Sequence, residues 1–266
     1  MFAYQARRGA VEVAFTDRHG ALRGGPSASL DLADPRPDSP DRAGDLARLE
    51  ENLDLVGHAL ARGAEPSGAT PFELPVGVAT PTVVRMRQVH GSEVHTADHA
   101  WLRARPADPP VADGLVTANP GVVLVVRVAD CVPVLLADVE RAVVGVAHAG
   151  RAGLVSGIVP ATLARMRDLG ADRVVAWVGP HVCGRCYEVP AQMRDEVEAV
   201  VPEAYAQTSW GTPAVDVGAG VAAQLLRAGI EVIDATRCTM EDQELYSYRR
   251  DGVTAGRMGG LVWVRP

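Results

Sequence analysis

The sequence contains no lysine: all 26 of its lysine-or-arginine positions are arginine. Chemistry that needs a lysine amine at the reacting centre is thereby excluded, whether a Schiff base, a pyridoxal enzyme or a P-loop NTPase. Clustered positive charge is missing as well. No basic run of five residues occurs and the formal net charge is −7, so a phosphate backbone finds little attraction and nucleic acid is not an expected partner. No apolar run reaches the roughly 18 residues that cross a bilayer, which argues against a membrane partner. The first residues, MFAYQARRGAVEVAF, hold no apolar segment of the secretory type, and the cytoplasm is the expected compartment. Cysteine is scarce, with four residues at 131, 183, 186 and 238. In a reducing compartment none is needed for a disulfide, which leaves them to thiol chemistry or metal binding.

Apolar side chains, by contrast, are plentiful. With 266 residues, 47% of them hydrophobic, the chain can bury one large core, and residues 1–266 read as a single domain. Residues 11–17 alternate as a strand does, and 18–45 form a long loop rich in Gly, Pro, Ser and Asp. Leu46, Leu49, Leu53, Val56 and Leu60 trace one helical face over 45–61. A Gly/Pro connector at 62–81 leads to the strand TVVRMRQV, and 99–112, with three prolines and Trp101, reads as irregular. Strands follow at 114–117, 122–129, 132–138 and 142–149, the last three so continuously apolar that both faces should be covered. A helix over 154–169, a strand at 173–179, helices at 191–201 and 217–229, and strands at IEVID and LVWV complete the pattern. Without strict βαβ alternation the expected class is α+β, with mixed β-sheets forming a central core flanked by helices.

Three residues carry most of the chemistry: His90 in RQVHG, Cys131 in ADCVP and His148 in HAGRAG. Two imidazoles and a thiolate suit zinc and leave a fourth position for water or substrate, as catalytic zinc requires. Their separations are far wider than those of structural zinc modules, so spacing alone says little. Each, however, is expected at the end of an apolar strand beside a glycine or proline, from which a side chain can project into a cleft. Glycines 150 and 153 could open a helix start toward an anion, although an ordinary strand-to-helix turn also accounts for them. The pair Cys183-Gly-Arg-Cys186 suggests a redox or zinc motif. Lacking a second CxxC, and interrupted by Pro180 and Pro190, it reads instead as a loop feature with Cys186 packed inside, and Cys238 reads the same way. Among the arginines of SYRRDG and TAGRMGG, Arg257, hemmed by small residues, is the favoured fork for phosphate or carboxylate.

Taken together, FTDRHG with SLDL, RQVHG, ADGLVT, ADCVPVLLAD, VGVAHAG, VGPHVCGRCYEV, the Cys-Thr pair at 238–239 and SYRRDGVTAGRMGGLVWV resemble the YfiH/YlmD family. Its members were once called laccase-domain or polyphenol oxidase proteins and are now regarded as purine nucleoside phosphorylases. The motifs run in family order across nearly the whole chain. The resemblance implies an α+β fold shared at a distance with cytotoxic-necrotizing-factor-type toxins. It implies zinc on His90, Cys131 and His148, these three also being the catalytic residues, and phosphorolysis of adenosine, inosine and methylthioadenosine, with adenosine deamination as a second activity. Purine nucleoside and phosphate are then the partners of a monomer or weak homo-oligomer. Asp130 and Gln88 are expected to orient the site, and Arg18, Arg151, Arg257 and Gln88 to meet substrate. Most members read HAGWRG where this chain has Arg151 and Ala152, and Leu53 follows Asn52 where arginine is usual. Those departures bear on substrate preference and leave the metal ligands intact. Three other readings stay open: a metal-free hydrolase with Cys131 as nucleophile and His148 as base, a copper-dependent phenol oxidase, for which the expected His-x-His pairs are missing, and a non-catalytic binding role.

Overall fold

Strand side chains that alternate between two apolar environments decide the architecture. The computed structural model describes residues 1–19, 30–35, 38–62, 81–104, 106 and 108–266. From the N-terminus these form β1 (Phe2–Arg8), β2 (Val11–Thr16), α1 (Arg42–Arg62), β3 (Thr82–Val84), β4 (Val94–Thr96), α2 (His99–Ala104) and β5 (Gly114–Thr117). Next come β6 (Val122–Val128), β7 (Val132–Asp138), β8 (Val143–Ala149), α3 (Arg151–Ser156), α4 (Ile158–Asp168), β9 (Val174–Val178) and α5 (Ala191–Glu198). The remainder is β10 (Tyr205–Gln207), β11 (Pro213–Val215), α6 (Val217–Arg227), β12 (Glu231–Asp234), α7 (Tyr248–Asp251) and β13 (Met258–Val264).

A five-stranded sheet in the order β1-β2-β13-β6-β3 faces a six-stranded sheet in the order β12-β9-β7-β8-β5-β4, with β10 and β11 pairing separately. Phe15, Leu124, Val126 and Val262 from the first sheet pack on Leu135, Val146 and Trp177 from the second. The opposite side chains of the same strands, Val123, Val125, Leu261 and Trp263, meet Leu49, Leu53, Val56 and Leu60 of α1. On the far side, Val132, Val134 and Leu136 lie against Ile158, Leu163 and Met166 of α4 and Val221 and Leu225 of α6. The molecule is therefore layered helix, sheet, sheet, helix, the α+β arrangement expected. Period-two alternation is satisfied by apolar residues on both faces, which is why β6, β7 and β8 read as unbroken hydrophobic runs. Each buried aliphatic side chain contributes about 1.5–3 kcal/mol relative to exposure.

Several elements differ from the sequence reading, which also lacked the short β4, β10, β11 and α7. The helix expected over 154–169 is broken by Gly157, whose left-handed φ of 80° closes α3 and opens α4. Residues 99–104 are helical, because Asp98 Oδ1 accepts the Trp101 N–H at 2.8 Å and so caps the first turn of α2. The strand TVVRMRQV pairs with β6 only over Thr82–Val84, leaving Arg87 a single bridge to Val111. The N-terminal β1, paired antiparallel to β2, was not anticipated. The connector at 62–81 lies almost wholly outside the described residues, as do residues 20–29 and 36–37 of the long loop. Among the described residues no helix is long and apolar enough to cross a membrane.

Candidate metal centre

The connection from β6 to β7 is only Ala129, Asp130 and Cys131 long. So short a turn forces Asp130 to φ 90°, a conformation that costs a non-glycine residue free energy and persists only where its surroundings hold it. They do. Thr239 Oγ1–H donates to Asp130 Oδ1 at 2.6 Å and the Arg249 N–H to Oδ2 at 2.7 Å, while the Asp130 carbonyl accepts the Val182 N–H at 3.0 Å. Asp130 is thus held in the turn that carries Cys131.

A second carboxylate organises the histidines. Asp113, fully buried just before β5, accepts the backbone N–H groups of His90 at 2.9 Å and Gly91 at 2.7 Å. It also bonds His148 Nδ1 at 2.7 Å. Burial alone would raise the Asp113 carboxyl; hydrogen bonds from His148 and from the Gly91 and Val89 backbone outweigh it and hold the group below the usual carboxylate range. One side chain therefore fixes the His90 loop, with His90 at φ 63°, and the ring orientation of His148. His148 sits one residue before the end of β8, as the sequence reading required. His90 does not follow a strand end directly, because β3 stops six residues earlier at Val84.

The donor atoms of His90, Cys131 and His148 lie within 4.8 Å of one another. Cys131 Sγ is 3.7 Å from His90 Nε2, and the two imidazole rings meet edge to face with centroids 4.7 Å apart. Burial would push the Cys131 thiol up, but the His148 charge and hydrogen bonds from both histidines bring it from 9.0 down to about 6. Conversely, burial would lower His148, and the Cys131 thiolate with the Asp113 carboxylate raises it to about 9. Gly150 explains itself here: a Cβ would stand 2.7 Å from His90 Cδ2 and 3.2 Å from Cys131 Sγ. At Gly153 a Cβ would come 3.1 Å from the Gly91 carbonyl. Both glycines of HAGRAG make room for the His90–Gly91 loop, and α3 behind them is a six-residue helix. Two imidazoles and a low-pKa thiolate, one imidazole already oriented by a carboxylate, form a donor set that fits zinc with one position open.

That open side faces a cavity of about 750 Å³, whose walls include Asp34, Arg127, Tyr187, Tyr248, Arg249 and Arg257 together with the three donors and Gln88. Arg127, nearly buried in the apolar run of β6, bonds Asp34 at 2.6 Å and the Leu32 and Met86 carbonyls at 3.1 and 3.0 Å. Arg249 lies 4.2 Å over the Tyr187 ring and donates to the Glu188 carbonyl at 2.7 Å. Arg257 approaches the Tyr248 ring at 5.9 Å. Of the expected substrate contacts, Arg257 and Gln88 line the cavity. Gln88 spends its amide on the Arg127 backbone, donating at 2.8 Å and accepting at 2.9 Å. Neither Arg18 nor Arg151 is among the described lining residues. Arg18 covers the Tyr246 ring at 5.0 Å and reaches the Gln243 carbonyl, and Arg151 is the first residue of α3. Sequence reasoning missed Asp113, Arg127 and Tyr187, and passed over Arg249 of SYRRDG in favour of Arg257. The signals were present: an arginine inside VVLVVRVA, an aspartate immediately before the glycine of ADGLVT, and a tyrosine directly after the CxxC.

Fold and site together define a class: a two-sheet α+β protein with a thiolate and two imidazoles in the wall of a cleft. Residues 72–265 match the family described as multi-copper polyphenol oxidoreductase laccase. The chain belongs to this family, the YfiH family. It is 46% identical over 253 residues to a purine nucleoside phosphorylase of Streptomyces coelicolor, covering 94% of each chain. Identity to a purine nucleoside phosphorylase of Streptomyces griseus is 44%, covering 96% of this chain and 95% of that one. Among solved structures, a Neisseria meningitidis protein superposes with a TM-score of 0.76 at 27% identity over 99% of both chains. YlmD from Geobacillus stearothermophilus superposes equally, at 26% identity, over 100% of this chain and 99% of that one.

Proposed function

We propose that this protein is a zinc-dependent purine nucleoside phosphorylase acting on adenosine, inosine and methylthioadenosine, with adenosine deamination as a lesser activity. The observation that carries the reading is the convergence of His90, Cys131 and His148 on a cavity that also holds two tyrosines and three arginines. Relatives named purine nucleoside phosphorylase over almost the whole chain support it. In phosphorolysis the bond between the sugar C1′ and the purine nitrogen breaks, a phosphate oxygen bonds to C1′, and the base leaves with the electron pair and takes up a proton.

His90, Cys131 and His148 would hold the zinc, which would supply a Lewis acid at the cavity. The protein does the rest. Tyr187 and Tyr248 offer faces against which a purine can stack. Arg257 and Arg249 offer forks for phosphate oxygens, and Arg127, paired with an Asp34 that Arg85 also shares, forms part of the cavity wall. Asp113 keeps His148 in the orientation that leaves Nε2 toward the donor set. Arg151 and Ala152 of HAGRAG lie outside the described cavity lining, so the reading does not require Arg151 to substitute for the family's arginine. A test is direct: inosine with inorganic phosphate should yield hypoxanthine and ribose 1-phosphate in equal amounts. Base release that proceeds without phosphate, or undiminished in Cys131→Ala, would overturn it.

A further inference from the structure

The three cysteines outside the cavity form a second cluster. Cys183, Cys186 and Cys238 bring their sulfurs together with a Glu241 carboxylate oxygen, all four atoms within 4.8 Å of one another. The Cys183 N–H points at Cys238 Sγ at 3.5 Å, and the Cys186 thiol donates to Glu241 at 3.5 Å. The loop reading of CxxC is right that Cys186 is buried, but it treated Cys238 as separate. The missing partner motif is C-x-x-E at 238–241, which the fold lays beside C-x-x-C at 183–186 through the bridge between His181 and Cys238. Each motif is a tight turn closed over four residues: the Tyr187 N–H returns to the Cys183 carbonyl and the Asp242 N–H to the Cys238 carbonyl, both at 3.0 Å. Gly184 is required in the first turn, where a Cβ would stand 2.7 Å from Asp216.

We propose that Cys183, Cys186, Cys238 and Glu241 bind a second zinc ion, in a closed four-donor site separate from the catalytic one. Three thiolates and a carboxylate satisfy tetrahedral zinc completely, with metal–sulfur distances of about 2.3 Å. Donors already within 4.8 Å need only a small contraction to reach it. Arg185, 4.0 Å from Glu241, offsets the negative charge of such a site. The ion ties the 180–190 loop, which carries Tyr187 into the cavity, to the segment whose Thr239 hydroxyl holds Asp130. Its function is that of a clip: it fixes one wall of the cavity and one support of the Cys131 turn without touching substrate.

Zinc content of protein purified under reducing conditions tests this. Wild type should hold two equivalents, Cys131→Ala one, Cys238→Ser one, and the double variant none. Cobalt added to metal-stripped Cys131→Ala should give thiolate-to-metal charge-transfer absorption that Cys183→Ser abolishes. Glu241→Gln, at an exposed position, keeps the fold beyond doubt and should release its second zinc to a chelator at least tenfold more readily. One equivalent in wild type and none in Cys131→Ala would overturn the proposal. So would copper in place of zinc, a Cys183–Cys186 disulfide in the reduced preparation, or a residual zinc in Cys131→Ala that survives loss of both Cys183 and Cys238.

Discussion

The two sulfur clusters use similar donors and differ in what lies on their far side. His90, Cys131 and His148 are three donors with a cavity of about 750 Å³ in front of them. Cys183, Cys186, Cys238 and Glu241 are four donors from two tight turns, and Glu241 closes the set where the first cluster is open. Donor count separates chemistry from scaffolding, because an exchangeable position is what lets a metal act on substrate. Support differs too. The first cluster is braced by buried carboxylates, with Asp113 behind the histidines and Asp130 behind the thiolate turn, whereas the turn of the second is held by a cation, Arg250, which donates to the Thr239 and Asp242 carbonyls at 2.7 and 3.0 Å.

The largest effect that would break this contrast is steric. Gly150→Ala places a methyl 2.7 Å from the His90 ring, so zinc at the open cluster should fall to trace levels after desalting while the second zinc stays. Retention of both ions would show that the loop gives way and the close approach is unimportant. Next in size, Asp113→Asn removes the charge that orients His148, and zinc affinity at the open cluster should weaken about 10–100-fold, read by chelator competition. Arg257→Ala should raise KM for phosphate roughly tenfold or more, as expected for loss of a charged hydrogen bond. Arg18→Ala, outside the cavity, should leave it within about twofold. Equal effects from the two variants would place the phosphate elsewhere.

The smallest effect concerns pH in the metal-free protein. Cys131 falls from 9.0 to about 6, so its stabilisation is lost as pH drops through about 6. His148 rises from 6.5 to about 9, so its stabilisation is lost as pH climbs through about 9. Thermal stability of the stripped protein should peak between these limits, and alkylation of the Cys131 peptide should show a midpoint near 6. A midpoint near the ordinary thiol value would remove the thiolate–imidazolium pair from the account.

The central strands, and the places of Cys131 and His148 near their ends, were legible in the sequence for one reason: both depend on local runs. Unbroken apolar stretches announce strands covered on both faces, and His148 and Cys131 stand at their ends. What escaped was long-range or capped. Asp113 speaks to His90 and His148 only after β5 pairs with β8, C-x-x-E meets C-x-x-C only through a bridge formed late in the chain, and the Gly157 break hides inside a continuous helical periodicity. Arg127 was readable as a charge inside an apolar strand, but its partner Asp34 comes from a distant loop.

Phosphate-dependent cleavage of inosine, measured together with zinc content in Cys131→Ala and Cys238→Ser, tests the division between open and closed clusters most directly. Each variant should carry one zinc; Cys238→Ser should still cleave inosine at saturating substrate, and Cys131→Ala should be slower by about a thousandfold or more, the several kcal/mol a Lewis acid supplies. Full turnover in Cys131→Ala, or activity that follows the Cys238-dependent zinc, would contradict the account.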